Sequence, residues 1–232
     1  MRKFMDLHLK PVDSATAIDM IGQASKLGFS GVGVSHGEKP FKYGETLHEV
    51  GLDIIRRIDL RPRSTNDLTS TLRRVRRRFE IVAVECTNKA IARQAARDNR
   101  VDILNFPSQP QRRRAVRFDR QEASLASGTS CAYEINFSDL VNMGPLMASK
   151  MIPMMRAEIE NATRSDVPVV MSSGAAKPLM MRGPRDLAAF TELLGVGEED
   201  SLDMVSENPW HIVNVNRRKL DPGFVSPGVR RV

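Results

Sequence analysis

The sequence predicts an α/β fold, a single (β/α)8 barrel of the TIM type in which a parallel sheet closes on itself. Short apolar runs of strand length alternate with stretches whose apolar residues recur at helical spacing, as in a parallel sheet with crossover helices. Eight such strands can be placed, and 232 residues lie within the range of roughly 200 to 250 typical of such barrels. No linker or internal repeat divides the chain, so one domain over residues 1–232 is expected. A doubly wound open sheet is the alternative, but no Gly-x-Gly-x-x-Gly follows the first predicted strand.

In the first half of the chain, the predicted strands lie at residues 4–8, 31–35, 52–55 and 81–84. Apolar residues at helical spacing from Ile18 to Leu27 predict a helix that Gly28 ends, and Ser64 can cap a second helix. The apolar stripe of that second helix forms one face, so the arginines at positions 73, 74, 76, 77 and 78 fall on its sides and back. A solvated helix face is the simpler interpretation of these arginines.

In the second half, strands are predicted at residues 101–104, 115–118, 131–135 and 167–171, and helices at about 88–99 and 119–127. Residues 138–164 have a helical pattern, but Gly144, Pro145 and Pro153 interrupt it, so two or three shorter helices are expected. The methionines of this region indicate core packing, with a partner-docking surface as the alternative. Helices beginning at Pro184 and near residue 198 precede a basic tail at about residues 216–232.

Composition and charge bound the class of protein and its partners. The net charge is +7 and the pI is about 9.8, mainly because of arginine, which binds phosphates in bidentate fashion. Because the basic residues recur in separate clusters, nucleic acid is favoured over an acidic small molecule or a membrane surface. No run approaches the ~20 apolar residues of a membrane span, and the N-terminus lacks a signal-like segment. Two cysteines make neither a disulfide framework nor a metal knuckle, so a cytoplasmic protein is expected.

One loop combines features of a phosphate site. The last predicted strand is followed at once by Ser172, Ser173 and Gly174, and a helix begins soon afterwards at Pro184. Small residues let backbone N–H groups approach an anion, and a helix start adds partial positive charge. The loop also gathers three cations, which are Lys177, Arg182 and Arg185. The loop therefore predicts a phosphate-bearing partner, and an ordinary strand-to-helix loop is the alternative.

Polar residues end nearly every predicted strand, where a barrel carries its functional groups. Those singled out for the barrel mouth are Asp6, His8, Glu85, Asn105 and Glu134. Asp6 and His8 are two residues apart, so their side chains share one face of the first strand, as those of two metal ligands could. However, the chain has only four histidines and no His-x-His or His-Glu-x-x-His, so a hydrogen-bonded structural role is expected for His8 rather than metal binding. No catalytic residue is assigned, because Ser172 and Ser173 have no base near them in sequence and neither cysteine has an activating context.

Two arginine-rich clusters near loops and the C-terminus are the firmer candidates for binding. They are Arg112, Arg113 and Arg114, and Arg217, Arg218 and Lys219. Phosphate contacts by such residues give affinity that falls with salt and confer little sequence specificity. Few aromatic residues interleave with them, which disfavours base stacking on single strands. Structured RNA recognised by its shape and backbone fits better.

Several segments together resemble the ribonuclease P protein component 3 family, the barrel-type protein subunit of archaeal and eukaryotic ribonuclease P. The resemblance covers essentially the whole chain, and the segments follow one another in order. They lie at residues 4–8, 31–35, 52–60, 101–106, 132–135, 172–175, 182–186 and 216–220. The resemblance implies a (β/α)8-like barrel that assists a catalytic RNA in removing 5′ leaders from precursor tRNA. It also implies partner protein subunits, including a small α/β protein, and Mg²⁺ for the RNA of the holoenzyme but no cofactor in this chain.

The predicted barrel is also similar to the polymerase and histidinol phosphatase superfamily, whose members bind metals through His-x-His and later His and Asp residues. In this chain Asp6 takes the first position of that motif, and histidine is scarce. This departure from the motif disfavours metal-dependent phosphoesterase activity. The resemblance to ribonuclease P component 3 implies a subunit that does not cleave by itself. A free-standing metal-dependent phosphoesterase is the alternative, with a metal held by Asp6, His8, Glu85 and Glu134.

Overall fold

Seven parallel strands form a curved sheet in which each strand pairs with the next one along the chain. The structure is a computed structural model, and it describes residues 2–37, 41, 51–221, 224–226 and 229–230. The strands are β1 (Met5–Leu9), β2 (Gly31–His36), β3 (Asp53–Leu60), β4 (Ile81–Glu85), β5 (Ile103–Asn105), β6 (Ala132–Asn136) and β7 (Val169–Ser172). We call the side on which these strands end the carboxyl-end face and the side on which they begin the amino-end face.

The helices mostly follow the strands one by one and pack on the outside of the sheet. They are α1 (Ser14–Lys26), α2 (Thr65–Val75), α3 (Lys89–Ala96), α4 (Pro110–Ala115), α5 (Arg120–Ser127), α6 (Phe137–Val141), α7 (Pro145–Thr163), α8 (Pro184–Leu193), α9 (Glu198–Asp203) and α10 (Glu207–Leu220). Helix starts follow local chemistry. The Ser64 hydroxyl accepts from the Asp67 N–H at 3.1 Å, and Pro184 is the first residue of α8, as predicted. The region 138–164 forms two helices, with Pro153 inside the second one.

Among the residues that the structure describes, no eighth strand joins the sheet between β1 and β7. Residues 204–205, which join α9 to α10, take that position. The Met171 N–H donates to the Met204 carbonyl and the Met5 N–H donates to the Val205 carbonyl, both at 2.9 Å. The predicted TIM-like barrel is therefore confirmed, but the predicted number of regular strands is wrong.

The strand predicted at residues 115–118 is the one that does not form. Val116 and Phe118 are buried there, as a strand would require, but they lie in the connection between α4 and α5. Phe118 stacks on Tyr133 with ring centroids 5.0 Å apart. Because β5 pairs directly with β6 in register Ile103 to Ala132, no ladder position is left for this segment. Alternating burial here reflects packing against the outside of the sheet.

The barrel interior holds its own apolar cluster, which α10 covers at the amino-end face. Interior side chains from the strands pack against Ile212 and Val213 of that helix, with Trp210 partly buried beside them. Gly33 is needed in β2, because an added Cβ would overlap the Leu7 carbonyl oxygen of β1. A second, larger cluster lies between the sheet and the outer helices and includes Met151 and Met155, so the methionines of α7 serve the core in part.

The basic tail predicted at about residues 216–232 begins differently from the expectation. Residues 216–220 continue α10, because its apolar residues pack into the bottom of the barrel. Beyond it, β8 (Phe224–Ser226) and β9 (Val229–Arg230) pair antiparallel. Residues 222–223, 227–228 and 231–232 of the predicted tail lie outside the described residues. Across the part of the chain that the structure describes, no helix combines the length and apolarity needed to cross a membrane.

Candidate functional site

A polar cavity of about 590 Å³ opens at the carboxyl-end face, where the strands end. Its lining includes His8 from β1, Asp59 from β3, Glu85 from β4 and Asn105 from β5. These side chains meet because parallel strands deliver the residues at their carboxyl ends to one rim. The structure therefore brings three of the predicted mouth residues, His8, Glu85 and Asn105, to one cavity.

Arg57 of β3 lies buried behind the cavity-lining residue Asp59 and is the counter-charge of the mouth carboxylates, a role that its position at a strand end did not reveal. Its guanidinium is 0% exposed and binds Glu134 through two bonds of 2.7 Å each. It also donates to Asp59 Oδ1 at 2.8 and 3.1 Å and to the Leu7 carbonyl at 2.9 Å. The spacing of Arg57 and Asp59 was an available signal, because residues two apart share one face of a strand. The pairing with Glu134, far away in sequence, was not.

The ion cluster sets the charge state of its members. Burial alone would raise the pKa of the Asp59 and Glu134 carboxyls, but the Arg57 cation and His8 together outweigh it and hold both pKa values below the ordinary range. His8 lies beside both carboxylates, with Nδ1 3.1 Å from Glu134 Oε2 and Nε2 3.5 Å from Asp59 Oδ2. Burial and Arg57 lower the pKa of His8, yet the two carboxylates together raise it above its ordinary value. In this cluster the negative charges of Asp59 and Glu134 are thus balanced by the neighbouring Arg57 and His8.

The remaining predicted mouth residues have mainly structural partners. Asn105 donates to Glu134 Oε2 at 2.8 Å, and Glu85 pairs with Arg61 at the rim. Asp6 is fully buried, and its Oδ1 accepts from the backbone N–H groups of His8 at 3.1 Å and of Ser173 at 3.0 Å. Asp6 therefore ties β1 to the loop after β7 and does not face the cavity.

The set considered for a metal is accordingly not assembled. Asp6 Oδ1 binds backbone N–H groups and Asp6 is buried away from the cavity, while Glu85 is paired with Arg61 and Glu134 with Arg57. Within the described residues, no group of three or more His, Cys, Asp or Glu side chains is arranged to hold a metal ion. The cation nearest to the mouth carboxylates is the protein's own guanidinium.

The loop of Ser172, Ser173 and Gly174 is closed, contrary to the phosphate cradle that the sequence suggested. Both serines are 0% exposed. The Ser172 hydroxyl donates to Glu134 Oε1 at 2.8 Å, and the Ser173 oxygen accepts from the Ala175 N–H at 3.2 Å. Gly174 has φ of +61°, and its carbonyl accepts from the Ser138 hydroxyl at 2.9 Å. The Ser172 hydroxyl and the Ser173 N–H are used inside the protein, so these two serines leave the predicted RNA-contacting set, whereas Gly174 lines a neighbouring cavity and stays a prediction.

Arg113 also leaves that set, because its side chain is buried rather than solvated. It is 1% exposed, and its Nε lies 3.0 Å from Glu158 Oε2 on α7. It donates as well to the Tyr133 hydroxyl and, at 3.3 Å, to the Phe106 carbonyl. The neighbouring Arg112 and Arg114 are exposed. Three consecutive arginines on a helix point in different directions. Sequence alone cannot tell which of them is buried, because that depends on where α7 packs.

The other predicted cations divide between two faces. Lys177 and Arg185 are exposed near the carboxyl-end face, and Arg182 is half-buried over the Phe137 ring at 5.5 Å. The cluster at residues 217–219 lies on the amino-end face instead. Arg217 binds Asp53 at 2.7 Å and Glu80 at 2.6 Å, beside the starts of β3 and β4. Lys219 donates to the Ser130 hydroxyl at 3.0 Å, while Arg218 is exposed.

Comparisons with known proteins agree with this architecture. The chain is 28% identical to ribonuclease P protein component 3 of Methanosarcina mazei over 96% of this chain and 92% of that protein. The corresponding protein of Methanococcoides burtonii is also 28% identical, over 98% of this chain and 93% of that one.

Solved structures show the same fold. A chain in a cryo-EM structure of archaeal ribonuclease P with mature tRNA matches with a TM-score of 0.82 at 23% identity, covering 97% of this chain and 96% of that one. An amidohydrolase matches at a TM-score of 0.58 and 11% identity, covering 94% of this chain and 75% of that one. The family model for the p30 subunit of ribonuclease P matches residues 3–221. The chain therefore belongs to the ribonuclease P p30 subunit family.

Proposed function

We propose that this chain is a protein subunit of ribonuclease P, the ribonucleoprotein endoribonuclease that removes 5′ leaders from precursor tRNA. The observation that carries the proposal is the family match over residues 3–221, which spans the whole described barrel. In this role the chain supports the catalytic RNA and does not cleave RNA by itself. Its partners are that RNA, precursor tRNA as the substrate of the complex and other protein subunits, including a small α/β protein. The proposed compartment is the cytoplasm.

The geometry of the mouth supports a non-catalytic role for the chain. A hydrolytic site needs a free base, a nucleophile or a metal-bound water beside the reacting phosphate. The Glu134 and Asp59 carboxylates are instead bound by Arg57 through short hydrogen bonds, and the low pKa of each makes it a poor proton acceptor. Chemistry is therefore assigned to the RNA of the complex, and Mg²⁺ is expected with that RNA.

RNA contact at the carboxyl-end face is proposed for the cations that remain accessible there. These are Arg112, Arg114, Lys177, Arg182 and Arg185. Exposed guanidinium groups can bind phosphates in bidentate fashion, and their affinity falls with salt through release of counterions. Charge reversal in Arg112→Glu/Arg114→Glu should weaken RNA binding and flatten its salt dependence. Arg113 is left unchanged in that variant, because its loss would damage the fold rather than an interface.

A free-standing metal-dependent phosphoesterase is the second candidate, and one observation favours it. His8 and Asp59 line an open polar cavity and Glu134 is buried behind them, with His8 within 3.5 Å of both carboxylates. Activity of the RNA-free protein on a phosphoester that chelation and His8→Ala both abolish would establish this second function. We expect no such activity, because Arg57 already holds the two carboxylates.

The decisive test of the proposed function is purification of the chain from its native cells, followed by sequencing of the RNA that accompanies it. We expect one dominant structured RNA and cleavage of precursor-tRNA leaders that requires that RNA. Reconstitution with the transcribed RNA, with and without this chain, then measures the contribution of the chain to cleavage. Absence of any enriched RNA at low salt would contradict the proposal.

A further inference from the structure

The amino-end face carries a basic surface that two distant stretches of the chain build together. Arg73 lies in the last turn of α2, and Arg77 follows where that helix ends, before β4 begins at Ile81. Arg218 lies in the last turn of α10, which crosses the same end of the barrel. From sequence alone, the arginines near residue 73 are expected on a solvated helix face and those near residue 217 are expected to contact phosphates. The structure places both groups on one side of the molecule.

Ion pairs hold the two stretches in place. Arg217 of α10 binds Glu80, which directly precedes β4 and also accepts from the Arg56 N–H at 2.9 Å. Arg76, at the end of α2, pairs with Asp102 just before β5. Asp102 also accepts from the Val82 N–H at 2.7 Å, so the ends of α2, β4 and β5 are linked. Arg217 and Arg76 are therefore positioning residues that align the surface rather than parts of it.

These pairings engage the carboxylates that lie closest to the ends of α2 and α10. The acidic residues beside the starts of β3, β4 and β5 bind neighbouring cations, and they are Asp53, Glu80, Asp98 and Asp102. By contrast, Arg73, Arg77 and Arg218 are exposed, and none of their side chains forms an ion pair or hydrogen bond with any described residue. We call these three residues the amino-end basic surface. Their charge is available to a partner outside the chain.

Complementing the helix dipole is a simpler explanation for basic residues in a last turn. That explanation accounts for one or two cations at each helix end. It does not account for two helix ends at the same face of the barrel, where Asp53, Glu80 and Asp102 beside them are already paired by Arg217 and Arg76. The arrangement leaves excess positive charge where self-repulsion disfavours it unless an anionic partner binds.

The chemistry of the surface specifies the kind of partner. Trp210 at this end is partly buried against the barrel interior and covered by Lys3, with Nζ 4.8 Å from the ring centroid. Stacking of a base on this ring is therefore disfavoured, whereas three exposed guanidinium groups fit phosphates. Contacts of this kind recognise the backbone and the shape of folded RNA rather than its sequence.

We propose that the amino-end basic surface binds the phosphate backbone of folded RNA, so that the chain contacts RNA on two opposite faces of the barrel. This inference rests on the proposed function and specifies a second site for the same partner. Arg73 and Arg77 belong to this site together with Arg218, and Arg217 acts by holding α10 against the start of β4.

The test is the salt dependence of binding between the full-length chain and the transcribed ribonuclease P RNA of the same organism, followed by fluorescence anisotropy. Arg73→Gln/Arg77→Gln removes two charges, and glutamine keeps the helix propensity. The slope of log K against log salt is negative, and its magnitude should become smaller by about 0.7–0.9 for each phosphate that the variant no longer neutralises. In this variant we therefore expect the magnitude of the slope to be smaller by about 1.5. Adding Arg218→Gln should extend the decrease to about 2.4.

Lys150→Gln/Arg156→Gln is the matched control, because it removes the same charge from exposed positions on α7. An unchanged slope in this control with a reduced slope in Arg73→Gln/Arg77→Gln supports the inference. Equal decreases in both variants, or no decrease in Arg73→Gln/Arg77→Gln, overturn it. A decrease confined to Arg112→Gln/Arg114→Gln also overturns it but leaves the proposed function standing. Failure of the wild-type chain to bind the RNA at low salt removes both.

Discussion

Replacing Arg57 by methionine should destabilise the barrel strongly, because the guanidinium is the counter-charge of two carboxylates. It makes bonds of 2.7 and 2.7 Å to Glu134, 2.8 and 3.1 Å to Asp59, and 2.9 Å to the Leu7 carbonyl. Removing one partner of a buried ion pair costs about 3–5 kcal/mol, since the other charge is left uncompensated. In a domain of this size each kcal/mol lowers Tm by roughly 2–4 °C, so the expected decrease is on the order of 10 °C.

The pH dependence of this destabilisation follows from the pKa directions. In the wild type, Arg57 holds the pKa values of Asp59 and Glu134 below their unfolded values, so their stabilising contribution is present above pH of about 4 and is lost in stronger acid. Without the guanidinium, burial dominates and raises both pKa values, so the carboxyls take up protons as the pH is lowered. The difference in free energy of unfolding between wild type and Arg57→Met should therefore be smaller at pH 5 than at pH 7.

Urea unfolding at pH 5 and pH 7 measures both quantities. Adding Glu134→Gln to Arg57→Met should recover part of the stability, because it removes one of the two stranded charges. A destabilisation below about 1 kcal/mol at pH 7, the value of an exposed pair, would refute the assignment of Arg57 as the buried counter-charge. A pH-independent difference would refute the electrostatic cause.

Three further outcomes are expected. The carboxylates beside His8 raise its pKa in the folded protein, so the wild type should lose stability as the pH rises through this raised pKa. The measurement is the urea midpoint between pH 6 and 8.5, and His8→Gln should abolish the loss. Arg113→Met should cost about 3–5 kcal/mol, whereas Arg112→Met next to it should change stability by less than about 0.5 kcal/mol; equal effects in thermal melts would contradict the burial difference. Gly33→Ala should destabilise by about 1–3 kcal/mol or more through its clash with the Leu7 carbonyl, and a neutral calorimetric result would contradict the close approach of β1 and β2.

The sequence alone was sufficient for elements defined by local interactions. The Ser64 cap and the first helical residue at Pro184 were predicted because a cap involves only neighbours in the chain. The predicted strand at residues 115–118 failed for the opposite reason. Alternating burial is produced equally by a strand and by an extended connection packed on the sheet, and only pairing between β5 and β6 distinguishes them.

The candidate site was partly predictable in the same sense. His8, Glu85 and Asn105 were expected at the mouth because parallel strands deliver their ends to one face. The burial of Ser172 and Ser173 was not expected, since it depends on Asp6 and Glu134 from other strands. A serine in a small-residue loop looks the same in sequence whether its hydroxyl meets an anion or a carboxylate of its own protein.

The barrel class, the excess of arginine and the family could all be inferred from the amino-acid sequence, because periodicity, composition and ordered motifs are properties of the chain. Which charges are neutralised and which are free became clear only from the three-dimensional arrangement. Arg113 meets Glu158 and Arg57 meets Glu134 across long stretches of sequence, while Arg73 and Arg218 converge on one face without any carboxylate partner among the described residues. Electrostatic pairing depends on distance in space and on burial, and the fold alone sets both.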